Sequence, residues 1–429
     1  MNCIKASELK NFLGQEAELK GWVANFRSSG KIWFVELRDG SGFVQVVIDA
    51  GKVDKASLAT CEKLTIESSI IVSGAVAKHP KFEQYELHAV KLVLVNQSAE
   101  YPIGKKEHGP DFLFDNRHLW LRSPRQWAIQ RLRNTIINAT FEFLNQQNYI
   151  KIDTPILTPT SCEGTTTLFE VDYFGQPAYL AQSGQLYLEA AIASWGRVFD
   201  FGPVFRAEKS KTRRHLIEFW MMDAEAAFVD HEANLKIQEE LISFIVAKVL
   251  QTNLAEFKIL ERDLTILQRV KPPFYRLTHS EAVQKLRERG SDMGEQDDLG
   301  ADDETLLTEL YDKPIFVEKY PAAVKAFYMK RDPADSSRVL NADLLAPEGY
   351  GEIIGGSQRE DDYDKLLARM KAEKLPIEPF QWYLDLRKYG SVPHSGFGIG
   401  LERTVAWICG LKHIREAIPF PRLINRLRP

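Results

Sequence analysis

Residues Gly202–Phe219 read GPVFRAEKSKTRRHLIEF, and Gly396–Arg403 read GFGIGLER; together they decide the reading of this chain. In the first, Arg206 and Glu208 alternate as on a strand. A basic run follows (Lys209, Lys211, Arg213, Arg214), then Glu218 and Phe219. In the second, Gly396, Gly398 and Gly400 open the way to Glu402, Arg403 and an apolar helix. A lone Arg-x-Glu is usually a surface ion pair worth under about 1 kcal/mol. Three alternating glycines are also not the G-x-G-x-x-G dinucleotide fingerprint. It is the conjunction that informs: two arginines, a planar ring and a glycine floor make a pocket for a nucleoside triphosphate.

The surrounding chain has room for such a pocket. Its 429 residues allow two or three domains, each with a core. A hydrophobic content of 44% and a charged content of 27% are those of a globular protein. The first residues, MNCIKASELK, contain no apolar stretch, and no uncharged run reaches the ~18 residues that a membrane helix needs. A cytoplasmic protein with no membrane partner is expected. The four cysteines (Cys3, Cys61, Cys162, Cys409) lack C-x-x-C spacing, so neither zinc site nor disulfide framework is indicated. A net charge of −4 leaves nucleic-acid binding open, since a polyanion needs only a local basic face.

Residues 1–98 read as all-β. Alternating segments at 17–27, 32–38, 42–48, 69–78 and 85–95 are separated by turn signals, with one helix at 53–64. Five strands with a helix after the third is the order of an OB-fold barrel, which commonly binds oligonucleotides on its open face. Alternation along 32–38 sends Trp33, Val35 and Leu37 inward, and Phe34, Glu36 and Arg38 to the other face. An aromatic ring among charges there is a stacking platform for an unpaired base.

A linker follows at 99–122. From 123 to 429 the pattern is α+β, with a mainly antiparallel sheet flanked by helices, because the βα alternation of a doubly wound sheet is missing. Ser123 is placed as an N-cap with Pro124 at the first helical position, and Ile129, Leu132, Ile136, Ala139 and Phe143 recur on one helical face. The acidic stretch at about 285–312 reads as a solvated surface insertion.

The 202–219 and 396–403 segments resemble the second and third signature motifs of class II aminoacyl-tRNA synthetases, and the helix, strand and proline of 123–155 resemble the first. AQSGQLYLEAAI, YGEIIGGSQRE and the N-terminal barrel are similar to the aspartyl, asparaginyl and lysyl subgroup, over nearly the whole chain. The resemblance implies an ATP- and Mg2+-dependent ligase, homodimeric through 123–155. In the implied reaction, attack of an amino-acid carboxylate on the α-phosphorus of ATP gives an adenylate, and the aminoacyl group passes to tRNA. Such chemistry is positioning and charge neutralisation, with no protein nucleophile.

By this resemblance Arg206 bridges carboxylate and α-phosphate, Glu208 holds the adenine end and Phe219 stacks on its face. Arg403 covers the opposite face and reaches the γ-phosphate; Arg214 and His215 meet the phosphates and the tRNA acceptor end. Glu352 is the implied metal ligand and Asp343 a second candidate. Gly355 stands where related aspartate enzymes carry a serine, leaving that part of the metal shell open. Glu163 and Gln185 hold the α-ammonium. Arg359 donates to a side-chain carbonyl, and an acid, Asp223 or Glu225, accepts from the amide. Leu188 stands where aspartyl enzymes carry a lysine that pairs with the substrate carboxylate, which points to L-asparagine and tRNA(Asn). On the barrel, Phe34 stacks an anticodon base, with Arg27, Gln45 and Glu86 as neighbours. An aspartate enzyme, an asparagine synthetase without a barrel and an RNA-binding regulator are the rivals. Leu188, residues 1–95 and the retained Arg206, Glu352 and Arg403 respectively disfavour them.

Overall fold

The structure, a computed structural model, describes residues 2–104, 106–160, 162, 168–210 and 212–429. The chain forms two compact units that divide between Phe114 and Asp115.

In the first unit, strands Glu16–Ser29, Ile32–Arg38, Phe43–Asp49, Ser69–Lys78 and Tyr85–Asn96 pair in sequence-expected positions. The long first strand pairs at one end with Ile32–Arg38 and at the other with Ser69–Lys78, which closes the sheet into the five-stranded OB barrel. Helix Lys55–Cys61 lies between the third and fourth of these strands, its first turn capped by Asp54 accepting from the Ser57 N–H. The barrel fills with the inward set: Val35, Leu37, Val46, Ile48, Val72 and Leu87 are fully buried, and Trp33 packs against them. Arg38 keeps to the other face, beside Trp22 of the paired strand, its guanidinium 5.9 Å from that ring. It is buried there and bidentate to Glu67 (2.8 and 2.7 Å), since a guanidinium is covered only when a carboxylate meets it.

The second unit is built on a nine-stranded sheet. From one edge the order is Tyr275–Thr278, Ile315–Glu318, Asn341–Ala346, Gly351–Gln358, His394–Gly400, Glu218–Ala227, Arg197–Phe199 and Ile150–Lys151, with Gly202–Phe205 also pairing to Glu218–Ala227. All pairings are antiparallel except those at the two edges. Helix Pro124–Gln146 starts as expected, the Ser123 hydroxyl accepting from the Gln126 N–H. It packs with helices His231–Thr252 and Leu401–Cys409 on one sheet face, around Ile129, Leu132, Ile136, Met222, Ala224, Phe397, Ile399 and Trp407. Alternation then leaves Asp223, Glu225, Gly396 and Gly398 to the other face. There the candidate site lies.

Candidate functional site

The open face is shaped by glycines facing acids. Asp223 pairs in register with Gly398, and Glu225 with Gly396. A Cβ at Gly396 would stand 2.0 Å from Glu225 Oε1, and one at Gly398 2.5 Å from Asp223 Oδ1, so the glycine floor makes space for two carboxylates. Those acids are then engaged differently. Glu225 is paired with Arg359, whose Nε lies 3.1 Å from Oε1 while Nη1 donates to the Ser357 hydroxyl at 2.6 Å. Asp223 instead accepts from the Ser183 hydroxyl and the Gly184 N–H, both at 2.8 Å. Burial pushes the Glu225 carboxyl up to about 7 against the pull of Arg359.

Gln185 and Glu189 open the next layer. Gln185 Nε2 donates to Glu189 Oε1 at 3.0 Å, and its carbonyl oxygen can act only as an acceptor. Glu189 also takes bonds from Arg387 (2.6 Å), Tyr383 (2.8 Å) and His394 (3.1 Å). Leu188 is fully buried among Ala191, Ile192 and Val198, an apolar setting that offers nothing to a substrate carboxylate. Glu163 lies outside the described residues.

Further along the sheet the strand Gly351–Gln358 shifts register against Leu344/Leu345. The extra residue lets Ile353 and Ile354 both enter the core and turns Glu352 to the open face. Arg403 Nη1 donates to the Glu352 carboxylate at 2.8 Å and to its backbone carbonyl at 2.9 Å. A Cβ on Gly355 would lie 3.0 Å from Glu352 Oε1 and 3.7 Å from Asp343 Oδ1, so these candidate ligands flank one gap. Their oxygens suit a hard divalent cation such as Mg2+. Burial and the neighbouring Glu352 charge hold Asp343 up at about 6, although Lys325 pulls the other way. Burial also works against Glu352, yet Arg403 and Lys325 bring it below the ordinary carboxylate range.

Arg206 and Glu208 are not on a strand. The strand ends at Phe205 and both residues lie in the loop beyond it, with the Arg206 N–H donating to Ile217 O at 2.9 Å. The loop still gathers what was expected of it. Burial and the charge of Arg403 lower the His215 imidazole, whose proton Glu208 and Glu352 favour and Arg206 disfavours, so these groups share one electrostatic neighbourhood. Phe219, on the following strand, packs with Leu216, Ile414 and Ile418. Arg214 Nη1 donates to Glu304 at 2.8 Å, and Nη2 to Thr305 and Gly349.

Glu304 belongs to the acidic stretch, and the expectation of a solvated insertion is corrected there. Helix Ala301–Thr308 packs on the site strand, and burial together with Glu352 raises the Glu304 carboxyl to about 7. Asp298 from the same stretch and Asp343 both accept from Lys325 Nζ at 3.0 Å. Neither Lys325 nor Asp200, which faces Thr154 and Asp223, carries a sequence signal, because each acquires its partners only through the sheet.

On the barrel, the four expected residues come together. Arg27 lies 4.7 Å over the Phe34 ring, and Gln45 donates to Glu86 at 2.8 Å. Phe34, Glu36, Tyr85 and His79 line the same cleft.

Comparison with known proteins agrees with both units. The family described as tRNA synthetases class II (D, K and N) matches residues 109–424, and that described as OB-fold nucleic acid binding domain matches 17–95. The chain belongs to the class II tRNA synthetases of the D, K and N type. It is similar to the asparagine--tRNA ligase of Pelotomaculum thermopropionicum, 51% identical with 100% of both chains covered. That of Desulforamulus reducens is 53% identical, with 98% of each covered. Among solved structures, asparaginyl-tRNA synthetase from Pyrococcus horikoshii complexed with asparaginyl-adenylate superposes with a TM-score of 0.96 at 45% identity, covering 100% of both chains. A putative aspartyl-tRNA synthetase from Leishmania major gives 0.86 at 27% identity, covering 100% of this chain and 94% of that one. Among the described residues no helix is long and apolar enough to cross a membrane.

Proposed function

We propose that the chain is an ATP-dependent ligase that activates L-asparagine to asparaginyl-adenylate and transfers it to tRNA(Asn). The observation that carries this reading is Arg359 set against Glu225: a donor for the amide carbonyl beside an acceptor for its NH2. Aspartate would bring a second carboxylate to Glu225 and be repelled. Discrimination by unmet hydrogen bonds reaches roughly 10⁴, so no editing domain is required. The similarity to asparagine ligases over the whole length supports the same substrate.

In this reading the asparagine carboxylate oxygen attacks the α-phosphorus, the bond to the β-phosphate oxygen breaks, and pyrophosphate leaves. Arg206 clamps the two approaching anions. Glu208 and Phe219 hold the adenine, Arg403, Arg214 and His215 the phosphates, and Gln185 presents its carbonyl oxygen to the α-ammonium, Glu163 being its expected companion. Glu352 and Asp343 would hold Mg2+, which neutralises phosphate charge when bound. A terminal hydroxyl of tRNA then attacks the acyl carbon and AMP leaves. Arg27, Phe34, Gln45 and Glu86 receive the anticodon.

The enzyme works in the cytoplasm as a homodimer through 123–155. Exposed Ile150, on an edge strand of the sheet, supports that contact. Pyrophosphate exchange measured separately with asparagine and aspartate tests the substrate. Equal rates with both would overturn the asparagine reading, and light scattering tests the dimer.

A further inference from the structure

Glu304 sits where a charged residue of a surface helix has no ordinary reason to be. Its Oε2 accepts from Arg214 Nη1 at 2.8 Å and from the backbone N–H of Glu352 at 3.0 Å. One oxygen thus ties together a motif-loop arginine and the strand of the candidate metal carboxylate. The fold makes room for this contact. Gly351 has φ +74°, and a Cβ there would stand 2.1 Å from Glu304 Oε2 and 2.4 Å from Arg214 Nη1, so no side chain is compatible with the pair. Thr305, one residue on, takes a second bond from Arg214, and Gly349 O a third. Arg214 is only 9% exposed.

This arrangement consumes part of the guanidinium and leaves part. Arg214 has five N–H donors. Among the described residues, the three bonds to Glu304, Thr305 and Gly349 use one N–H on Nη1 and two on Nη2, leaving Nε–H and one Nη1–H. Arg214 lines a cavity with Arg213, Arg403, Lys412, Tyr350 and Glu348, and Glu348 is already engaged by Arg262. Four cations around one cavity suit a polyphosphate, and an arginine fixed beforehand loses less side-chain entropy when an anion binds.

We infer that Glu304 is a positioning residue for the ATP step: it holds Arg214 in the orientation that meets the triphosphate, and it couples that arginine to the strand of Glu352. The inference rests on the reading that Arg214 faces ATP. The opposite role, a carboxylate that occupies Arg214 and competes with phosphate, predicts the opposite sign.

The experiment uses the full chain with Glu304→Gln, Glu304→Asp and Thr305→Val. ATP KM, asparagine KM and kcat are read by pyrophosphate exchange, and ATP Kd by calorimetry without asparagine. Loss of a charge-assisted bond to a buried partner should raise ATP KM and Kd by about 10- to 100-fold in Glu304→Gln, with asparagine KM within about twofold. Glu304→Asp should recover part of the loss. Thr305→Val should weaken ATP by about two- to tenfold, and it keeps the test alive if Glu304→Gln does not fold. Unchanged ATP affinity in folded Glu304→Gln would overturn the inference, and so would tighter ATP binding, which would make Glu304 a competitor. If the unmodified enzyme showed no asparagine-dependent exchange, the underlying functional reading would fail instead.

Discussion

Arg359 reaches Glu225 across the open face of the sheet, its Nε 3.1 Å from one carboxylate oxygen, with both residues nearly sealed from solvent at 3% and 1% exposure. Sequence left the amide-binding acid open between Asp223 and Glu225. The geometry separates them: Asp223 is bonded to Ser183 and Gly184 of the loop before the Gln185 helix, whereas Glu225 meets the arginine. In the proposed reading, Glu225→Gln replaces the acceptor for the substrate amide with a group that is half donor. It should raise asparagine KM by about 10- to 100-fold, the size of one charge-assisted hydrogen bond, while ATP KM stays within about twofold. Pyrophosphate exchange with each substrate varied in turn measures the split. Equal increases in both constants would show a general collapse of the site.

Arg206 leaves the sheet at the end of the Gly202–Phe205 strand, and its charge is felt by Glu352 and His215. In the proposed reading, Arg206→Ala removes the positive charge that meets the growing charge on phosphorus. Exchange should fall by on the order of 10²–10³, the usual loss for one transition-state donor. The circular dichroism spectrum should be unchanged, since the backbone N–H to Ile217 survives the substitution. Near-normal activity in the folded variant would take Arg206 out of the mechanism.

Phe34 is half-buried, with Arg27 over its ring and the Gln45–Glu86 pair on neighbouring strands. Because it points away from Val35, Leu37 and the barrel core, Phe34→Ala should spare the fold. It should weaken tRNA aminoacylation by about 1–3 kcal/mol, one base–aromatic stack, and leave exchange without tRNA intact. A parallel loss of both reactions would make Phe34 a folding residue.

These residues differ in how far the sequence announced them. Phe34 was legible because a two-residue period with one buried face leaves a single orientation for each side chain. Alternation gave Arg38 its face but not its burial, since its partner Glu67 lies in a different segment. Asp223 and Glu225 were legible as alternative acids and Gly396 and Gly398 as a floor, although only the sheet register shows that the acids lie over the glycines. The acidic stretch misled for a definite reason. Composition reports charge, and a carboxylate 90 residues from Arg214 in sequence becomes a buried partner only once the sheet brings them together. Lys325 escaped notice in the same way, lying between Asp298 and Asp343.

Asp200 supplies a test in pH. It is 6% exposed, accepts from the Thr154 hydroxyl, and its Oδ1 takes the Asp223 N–H at 3.3 Å. Burial, and then the like charge of Asp223, push its carboxyl from the ordinary 3.8 up to about 7. A folded-state value above the unfolded one means that the folded protein binds the proton more tightly. That stabilising contribution is complete below the unfolded value and is lost as the pH climbs through about 7. Asp200→Asn keeps an acceptor for the Asp223 N–H, offers an N–H to Thr154, and carries no charge to bury. The advantage of the substituted enzyme over the original should grow between pH 5 and pH 8.5 by on the order of 1–3 kcal/mol. Urea unfolding at the two pH values, followed by tryptophan fluorescence, measures the difference. A variant that was less stable at the higher pH would show that Asp200 is ionised and favourably engaged in the folded enzyme.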